Sequence, residues 1–404
     1  MKRAFQCVLL AALVASFAML TGCWNYQELE SRYVVSGIAV DRGKQGHRYL
    51  LTFEVLDLSG AGNGGAGDGA GGQMKGKLIR SEGDTIADAV DEASKISDKE
   101  LYYSDCKVIV FSRQIAEDGL TPVLDWLNRD PKPRFTVQAF VSGEKTAGEL
   151  FQPGGATGGG GQQASQQSGS QQQGGVISME IANSMEAIST GGRSIQMHIY
   201  DVDNVLLGEG RELALPLLKK SGKQNNPVEV HGTAVFRGDR YVGVIDDELS
   251  QDYLLAMSSV ENSVMVVGES PADRNLSLLV RKTSVSVDPE VSGGKISMKI
   301  KVKMQCSFDE ENSQQNYLLD LGVNKIEDFA DASVKAHIGR VVKQVQTQFA
   351  SDIFGFGRRI YQEKPNEWKK LKASWPQKFR SLSVDVEPDV TIINAEFAHP
   401  KGYA

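Results

Sequence analysis

The chain has 404 residues, of which 41% are hydrophobic and 24% are charged, and its formal net charge at pH 7 is −7. This length allows two or three domains with hydrophobic cores, and the apolar content is too high for a wholly disordered chain. A mildly acidic balance also argues against nucleic acid as a partner and against a polybasic grip on anionic lipid.

The first 22 residues have the features of a secretory signal peptide. Lys2 and Arg3 form a short basic region, and the apolar run Val8–Leu20 that follows is too short to span a membrane comfortably. If this leader is removed, 382 residues remain, and the net charge becomes −9 because two cations leave with it.

The leader closes with Leu20-Thr21-Gly22-Cys23, which resembles the lipobox of bacterial lipoproteins. In that pathway the Cys23 sulfur receives a diacylglyceryl group, and the signal is cut between Gly22 and Cys23. The alternative is an ordinary cleaved signal followed by an unrelated cysteine. Because two acyl chains anchor a protein durably, we predict a lipoprotein held on the outer face of the cytoplasmic membrane.

Two glycine-rich segments interrupt the mature chain, at residues 59–73 and 152–175. Together they contain 17 of the 42 glycines. Such segments bury little apolar surface and lose much entropy on ordering, so we expect exposed, flexible loop expansions. The first contains a GxGxxG match, but no strand-then-helix pattern surrounds it. We therefore predict no nucleotide cofactor.

Hydrophobic periodicity predicts a mixed set of strands and helices before residue 200. The predicted strands are Tyr33–Val40, Tyr49–Leu56, Cys106–Phe111 and Phe135–Val141. The predicted helices are Asp84–Ile96, Leu120–Leu127, Thr146–Phe151 and Ser178–Ile188. Asp84 or Thr85 is suited to cap the first helix. The run Ile195–Leu207 is apolar but fits neither template clearly.

The remainder of the chain has stronger signals. The predicted elements are a hairpin of Val228–Phe236 and Tyr241–Ile245, a helix at Glu248–Val260, and strands at Leu276–Val287 and Lys295–Phe308, turned by residues 289–294. Alternation in the last of these strands predicts one buried face and an exposed face carrying Lys295, Lys299, Lys301 and Lys303.

The clearest predicted element is a helix over Asn324–Phe354, about 45 Å long at 1.5 Å per residue. Asn324 is suited to cap it, Glu327 occupies the capping-box position, and Gly355 and Gly357 follow its end. We expect this helix to lie across the sheet of long strands. A helix near Glu367–Leu371 and a strand near Leu382–Ile393 complete the chain.

These elements predict an α+β (mixed α/β) fold, a multi-domain lipoprotein with antiparallel-rich sheets and a long C-terminal amphipathic helix packed on a sheet. The predicted divisions are a signal peptide (1–22), an N-terminal α/β domain containing both glycine-rich loops (23–195), a middle segment or small domain (196–265) and a C-terminal sheet-plus-long-helix domain (266–404).

The sequence shows no pattern that predicts catalysis or a metal site. The five histidines are scattered, no cysteine–histidine spacing is typical of zinc, and neither a nucleophile elbow nor a phosphate-binding loop is present. We therefore predict no enzyme, no catalytic residues, no metal and no cofactor. Cys106 and Cys306 remain in the mature core, where two buried free thiols are favoured over a disulfide.

Several motifs resemble the Ger(x)C family of spore-germination lipoproteins, in the family's order. They are Cys23–Leu29, Ser36–Asp41, Leu101–Val108 (with Asp105 where histidine is common), Gly232–Phe236, the Gln348 to Gly357 run containing DIFGFG, and Trp368 to Trp375. The glycine-rich segments are unusual in length for the family, and its basic, glycine-containing C-terminal ending is replaced by residues 391–404.

The resemblance implies a lipid-anchored C subunit of a nutrient germinant receptor, on the outer face of the spore inner membrane. It would act with membrane-embedded A and B subunits to trigger germination, and nutrient binding by this subunit itself is not expected. The alternative is an extracytoplasmic solute-binding lipoprotein of a transporter, and an extracytoplasmic hydrolase is a third hypothesis.

Overall fold

The structure is a computed structural model. The residues it describes are 5–6, 31–44, 46–57, 76–130, 133–152, 175–221, 228–257, 260–268, 275–292, 295–311 and 320–394. The lipobox and nearly all of both glycine-rich segments lie outside these ranges, so the predictions made for them stay predictions.

Nine strands form the first sheet. They are β1 (Arg32–Arg42), β2 (Tyr49–Asp57), β3 (Gly76–Gly83), β4 (Glu100–Tyr102), β5 (Val108–Phe111), β6 (Gln138–Ser142), β7 (Ala214–Lys220), β8 (Val228–Arg237) and β9 (Arg240–Ile245). The order is β3-β2-β1-β5-β6-β7-β8-β9, and β4 also pairs with β1. The central strands β1, β5, β6 and β7 are parallel, whereas the flanking pairs are antiparallel.

Helices cover both faces of this sheet. They are α1 (Ile86–Ile96), α2 (Arg113–Asp118), α3 (Thr121–Arg129), a 3₁₀ helix (Ala147–Phe151), α4 (Ile177–Thr190) and α5 (Ile199–Leu206). Strand β5 explains the arrangement, because all four of its residues are buried. Ile109 and Phe111 join the core under α1, while Val108 and Val110 join the core under α4. An uninterrupted apolar run is typical of a strand buried on both faces.

Four strands form the second sheet, in the order of their numbering: β10 (Val264–Val267), β11 (Leu276–Ser292), β12 (Lys295–Glu311) and β13 (Ser383–Asn394). Its helices are α6 (Asp247–Met257), α7 (Val323–Gln344), α8 (Phe356–Glu363), α9 (Pro365–Leu371) and α10 (Trp375–Arg380). The inward residues of β12 share one core with the apolar side of α7. The α+β class and the long helix on a sheet are therefore confirmed.

The alternation predicted for β12 is also confirmed. Met298, Ile300 and Val302 are buried, while lysines line the opposite face. Those lysines lie beside carboxylates of the neighbouring strands: Lys299 Nζ is 2.7 Å from Glu387, and Lys301 Nζ is 3.1 Å from Asp288. Because the pairs are exposed, each contributes little to stability.

The long helix differs from its prediction at both ends. It begins after Gly322, where no side chain caps it, and Glu327 instead accepts a hydrogen bond from the Ile392 backbone N–H. It ends as a wide π turn over Val345–Phe349, with Ala350 in the left-handed region at φ 50°. The regular helix is therefore about 33 Å long. The apolar stripe continues through the turn, which is why the pattern overestimated its length.

The long strands also differ from prediction. Both β11 and β12 have 17 residues. Strand β11 continues to Ser292, into the segment expected to be a turn, so that Pro289 pairs with Met298 inside the ladder, and β12 continues beyond Phe308 to Glu311. The predicted domain boundaries remain a prediction, because sheet pairing does not report independent folding. One of those boundaries, between residues 265 and 266, falls within β10.

Candidate functional site

The predicted anchor, Gly22 and Cys23, lies outside the described residues. The next described part begins at Ser31, followed directly by β1. Seven residues lie between Cys23 and Ser31, and the eight residue steps that join them span at most about 28 Å when fully extended. A lipid on Cys23 would therefore hold the beginning of β1 close to a membrane.

The described ranges contain no group of three or more histidine, cysteine, aspartate and glutamate side chains placed to hold a metal ion. Among those same residues, no helix is both long and apolar enough to cross a membrane.

Asp352, in the DIFGFG motif, is the centre of a buried polar cluster. Its carboxylate is buried and accepts hydrogen bonds from the backbone N–H groups of Phe356 (3.0 Å) and Gly357 (2.7 Å). The indole Nε1 of Trp375 donates a third bond at 3.0 Å. Burial raises the pKa of Asp352 to about 6, although these donors oppose the rise. The arrangement fixes the turn that begins α8.

The glycines of this motif are required by geometry. Gly355 has φ +74°, a conformation that side-chain-bearing residues rarely adopt. A Cβ on Gly357 would lie 2.8 Å from ring atoms of both Trp368 and Trp375. These two rings pack edge to face with centroids 5.4 Å apart. The DIFGFG turn and the tryptophan pair therefore form one unit, which the sequence motifs alone did not show.

This unit joins the second sheet to the first. The Asp352 carbonyl accepts a hydrogen bond from the Glu212 backbone N–H at 2.9 Å, and the Ser351 hydroxyl bonds to the Phe236 carbonyl. Arg237, the next residue of β8, donates to the Phe349 carbonyl. Two motifs separated by more than 100 residues, GTAVF and DIFGFG, thus meet at this junction.

Two more buried carboxylates, both on strands of the first sheet, bind backbone N–H groups of the helices that precede and follow residues 153–174. Asp41, the last residue of the Ser36–Asp41 motif, accepts from the backbone N–H groups of Ala147 (2.6 Å) and Gly148 (3.0 Å). Glu54 accepts from those of Ile177 (2.9 Å) and Ser178 (2.6 Å). Burial raises the pKa of both acids. Each therefore holds the start of one helix onto the strands.

Sequence reasoning missed the role of Glu54, although a signal existed, since a charged residue sits inside an otherwise apolar strand. It also missed Asp252 on α6. That buried carboxylate contacts His337 Nδ1 at 2.7 Å and accepts from Arg340 Nη2 at 2.7 Å, which joins α6 to α7. These contacts are structural links between elements.

Asp105 and the two cysteines predicted to be buried lie outside these clusters. Asp105, the departure from the family pattern, forms a surface ion pair with Lys107. Cys106 and Cys306 are both free and buried, in different cores. Burial raises the pKa of Cys106 to about 12 and that of Cys306 to about 11, so both stay protonated thiols.

A groove of about 750 Å³ lies between α1 and α3. Ile86 and Trp126 supply apolar lining, while Asp84 and Arg129 are among the charged residues around it. These charges have partners within the chain, because Arg129 binds the Asp125 carboxylate and Asp84 binds His47.

Comparison with known proteins agrees with this arrangement. Residues 25–154 match the model of the spore germination protein N-terminal domain, and residues 231–396 match the model of the spore germination B3/GerAC-like C-terminal domain. The second match contains both motifs of the junction. The chain belongs to the Ger(x)C family.

Two relatives of this Ger(x)C protein are similar along nearly their whole length. Spore germination protein KC of Bacillus subtilis is 23% identical over 96% of this chain and 95% of its own. Spore germination protein B3 of the same organism is 20% identical over 93% and 94%. A crystal structure of the GerBC protein covers 92% of this chain and 100% of its own, with a TM-score of 0.53 and 15% identity, and it supports the fold.

Proposed function

We propose that this chain is the non-enzymatic, lipid-anchored C subunit of a nutrient germinant receptor. The observation that supports the proposal is full-length similarity to spore germination proteins behind a lipobox. The N-terminal domain match begins at residue 25, two residues after Cys23. The mature protein would therefore consist of an acylated cysteine followed almost at once by family sequence.

The proposed partners are the membrane-embedded A and B subunits, on the outer face of the spore inner membrane. An anchored subunit needs little intrinsic affinity for a neighbour in the same membrane, because tethering raises its effective concentration. Rigid contacts such as those of Asp352 and Asp252 suit a scaffold of fixed shape. Nutrient binding by this subunit itself is not expected.

The anchor is tested by Cys23→Ala, with Cys7→Ala as the matched control in the same leader. The Cys23 variant is expected to lose its acyl group, leave the membrane fraction and lower nutrient-triggered germination. The control is expected to behave as wild type. Unchanged germination by a soluble Cys23→Ala protein would overturn the proposal.

Partnership is tested by purifying the tagged, lipidated protein from gently solubilised spore membranes. Two polytopic membrane proteins are expected to accompany it in constant proportion. The solute-binding alternative makes the opposite prediction, micromolar binding of amino acids or sugars by the isolated mature chain, measured by calorimetry. Binding without co-purifying subunits would replace the receptor assignment with that alternative.

A further inference from the structure

Several parallel strands have their N-terminal ends at the same end of the first sheet. The parallel strands β1, β4, β5 and β6 all point away from this end. Strand β4 begins level with Arg32, whereas β5 and β6 begin level with Gly37, further along β1. Helix α1 also ends there, at Ile96, because only a short turn separates it from β4. This end is the one that follows directly from the proposed anchor, since Arg32 begins β1. We call it the tether end.

Exposed aromatic side chains concentrate at this end. Within described residues 31–394, four aromatic residues are classed as exposed, and three of them are here: Tyr102 (38% exposed), Phe135 (52%) and Tyr200 (43%). Tyr102 ends β4, and Phe135 precedes β6. The Tyr200 backbone N–H donates to the Phe135 carbonyl at 3.2 Å, which brings those two together.

An aliphatic side chain and cations complete the surface. Ile96 is 56% exposed at the end of α1. The Arg32 guanidinium lies 5.4 Å from the Tyr102 ring centroid, and Lys77 Nζ lies 4.7 Å from that of Tyr33. Long cationic side chains lying along aromatic rings, beside exposed aromatics, are typical of protein surfaces at the headgroup region of a bilayer.

The positive and negative charges at the tether end are balanced, and this balance determines which interaction would bind it to a membrane. Arg32 Nε is 3.0 Å from Glu100, and Lys77 Nζ is 3.4 Å from Asp98. With cations neutralised by neighbouring carboxylates, attraction to anionic lipid is weak. Insertion of apolar and aromatic groups is then the favourable term, and it does not depend on the headgroup charge.

We propose that the tether end, presenting Ile96, Tyr102, Phe135 and Tyr200, rests on the bilayer surface and sets the protein's orientation. The inference rests on the anchor proposed at Cys23, which places this end within reach of about 28 Å. The opposite end of β1, at Arg42, is ten residues from Arg32, roughly 33 Å along the strand. Ile86, which begins α1, then lies at the end of that helix farther from the membrane.

The test uses a fluorophore at either end of α1. Cysteine is introduced at the exposed positions Ile96→Cys and, as the matched control, Ala87→Cys on the same helix, and each is labelled with an environment-sensitive dye. Cys106 and Cys306 are buried and stay unlabelled. The lipidated protein is placed in vesicles containing lipids with a nitroxide near the headgroup. We expect quenching at position 96 and none at position 87.

Two further arms separate this inference from the anchor itself. A mature chain starting at residue 24, with an N-terminal hexahistidine bound to nickel-chelating lipid, reproduces the tether without acylation, and the same quenching is expected. Tyr102→Asp with Phe135→Asp is expected to abolish quenching while the protein still sediments with vesicles. Neutral and anionic vesicles are expected to give equal quenching.

The outcomes are distinct. Loss of the native protein from vesicles, with quenching retained on the chelating lipid, would overturn the anchor but support the orientation. Vesicle-bound protein quenched at position 87, or at neither position, would overturn the orientation and leave the anchor intact. Absence of quenching at both positions would also favour a protein partner for this surface.

Discussion

Asp352 shows how much of the junction depends on a single carboxylate. Its side chain is buried, and three N–H donors converge on it from the turn and from Trp375. A charge removed from water is unfavourable unless hydrogen bonds compensate, and a pKa of about 6 shows that compensation is incomplete. The buried charge therefore lowers the stability of the fold, while its hydrogen bonds fix the conformation of the turn.

The pH dependence of stability follows from this shift. Because the folded pKa is raised from 3.8 to about 6, the folded state binds the proton more tightly. The contribution of Asp352 to the free energy of unfolding therefore falls by about 3 kcal/mol as the pH rises from about 4 to 6. We expect the free energy of unfolding of wild type, relative to Asp352→Asn, to increase as pH falls through that window.

At pH 7, Asp352→Asn is expected to cost about 1–3 kcal/mol, because an amide oxygen cannot accept from all three donors. Denaturant titration measures both effects. Asp288→Asn, on the exposed sheet face, is the control and is expected to change stability by less than about 1 kcal/mol. Parallel pH profiles for wild type and Asp352→Asn would contradict the assignment.

A second prediction concerns the addition of a single methyl group at Gly357. Gly357→Ala places a methyl 2.8 Å from the two tryptophan rings, and we expect a loss of about 1–3 kcal/mol from overpacking. Gly339→Ala is the matched control, since its Cβ meets nothing within 4 Å on α7. It is expected to stabilise by about 0.5–1 kcal/mol, as alanine favours helix. Thermal unfolding followed by tryptophan fluorescence distinguishes the two.

At the scale of elements, α7 protects the exposed edge of the second sheet. The Asp331 carboxylate accepts from the Val390 backbone N–H at 2.9 Å, and that of Glu327 accepts from Ile392 at 2.8 Å. These two donors belong to β13, an edge strand. Edge strands with unpaired backbone groups invite pairing with other chains. The carboxylates therefore stabilise the fold and oppose association.

Replacing both carboxylates tests this role. Glu327→Ala with Asp331→Ala is expected to lower the free energy of unfolding by about 1–3 kcal/mol, from two lost hydrogen bonds. It is also expected to increase concentration-dependent association, measured by light scattering. Asp328→Ala, exposed on the same helix, is the control and should leave both properties near wild type. A monomeric double variant would show that the edge is protected by other means.

The elements also show what the sequence could predict. Strand β12 and helix α1 were predictable because each has one buried and one exposed face. Apolar residues therefore recur in the sequence at the spacing of a strand or a helix. Strand β3 was missed because it is largely polar and follows a glycine-rich segment. The end of α7 was misplaced because Val345 and Phe349 stay buried through the π turn. That turn depends on tertiary contacts.

The junction itself could not be derived from local patterns. Its motifs were recognisable one by one, but the contact between Ser351 and Phe236 joins residues 115 positions apart. Likewise, the pairing of Asp252 with Arg340 depends on how α6 lies on α7. Spacing along a chain predicts elements, whereas such contacts are set by the packing of whole sheets.

At the scale of the whole molecule, the second core extends back before residue 266. Ala214, Val235 and Ile245 of the first sheet belong to it, as does α6. A fragment of residues 266–404 would therefore expose the side of α7 that α6 covers. We expect this fragment to unfold without cooperativity or to aggregate, and residues 246–404 to be better folded, as measured by circular dichroism and chemical denaturation. Equal behaviour would support the predicted boundary.

The two buried sulfur atoms have a practical consequence for durability. Neither Cys106 nor Cys306 holds the fold together by a crosslink, and neither presents a reactive anion to its surroundings. The molecule should thus tolerate reductants and mild oxidants alike, and we expect neither thiol to be oxidised during long storage of the folded protein.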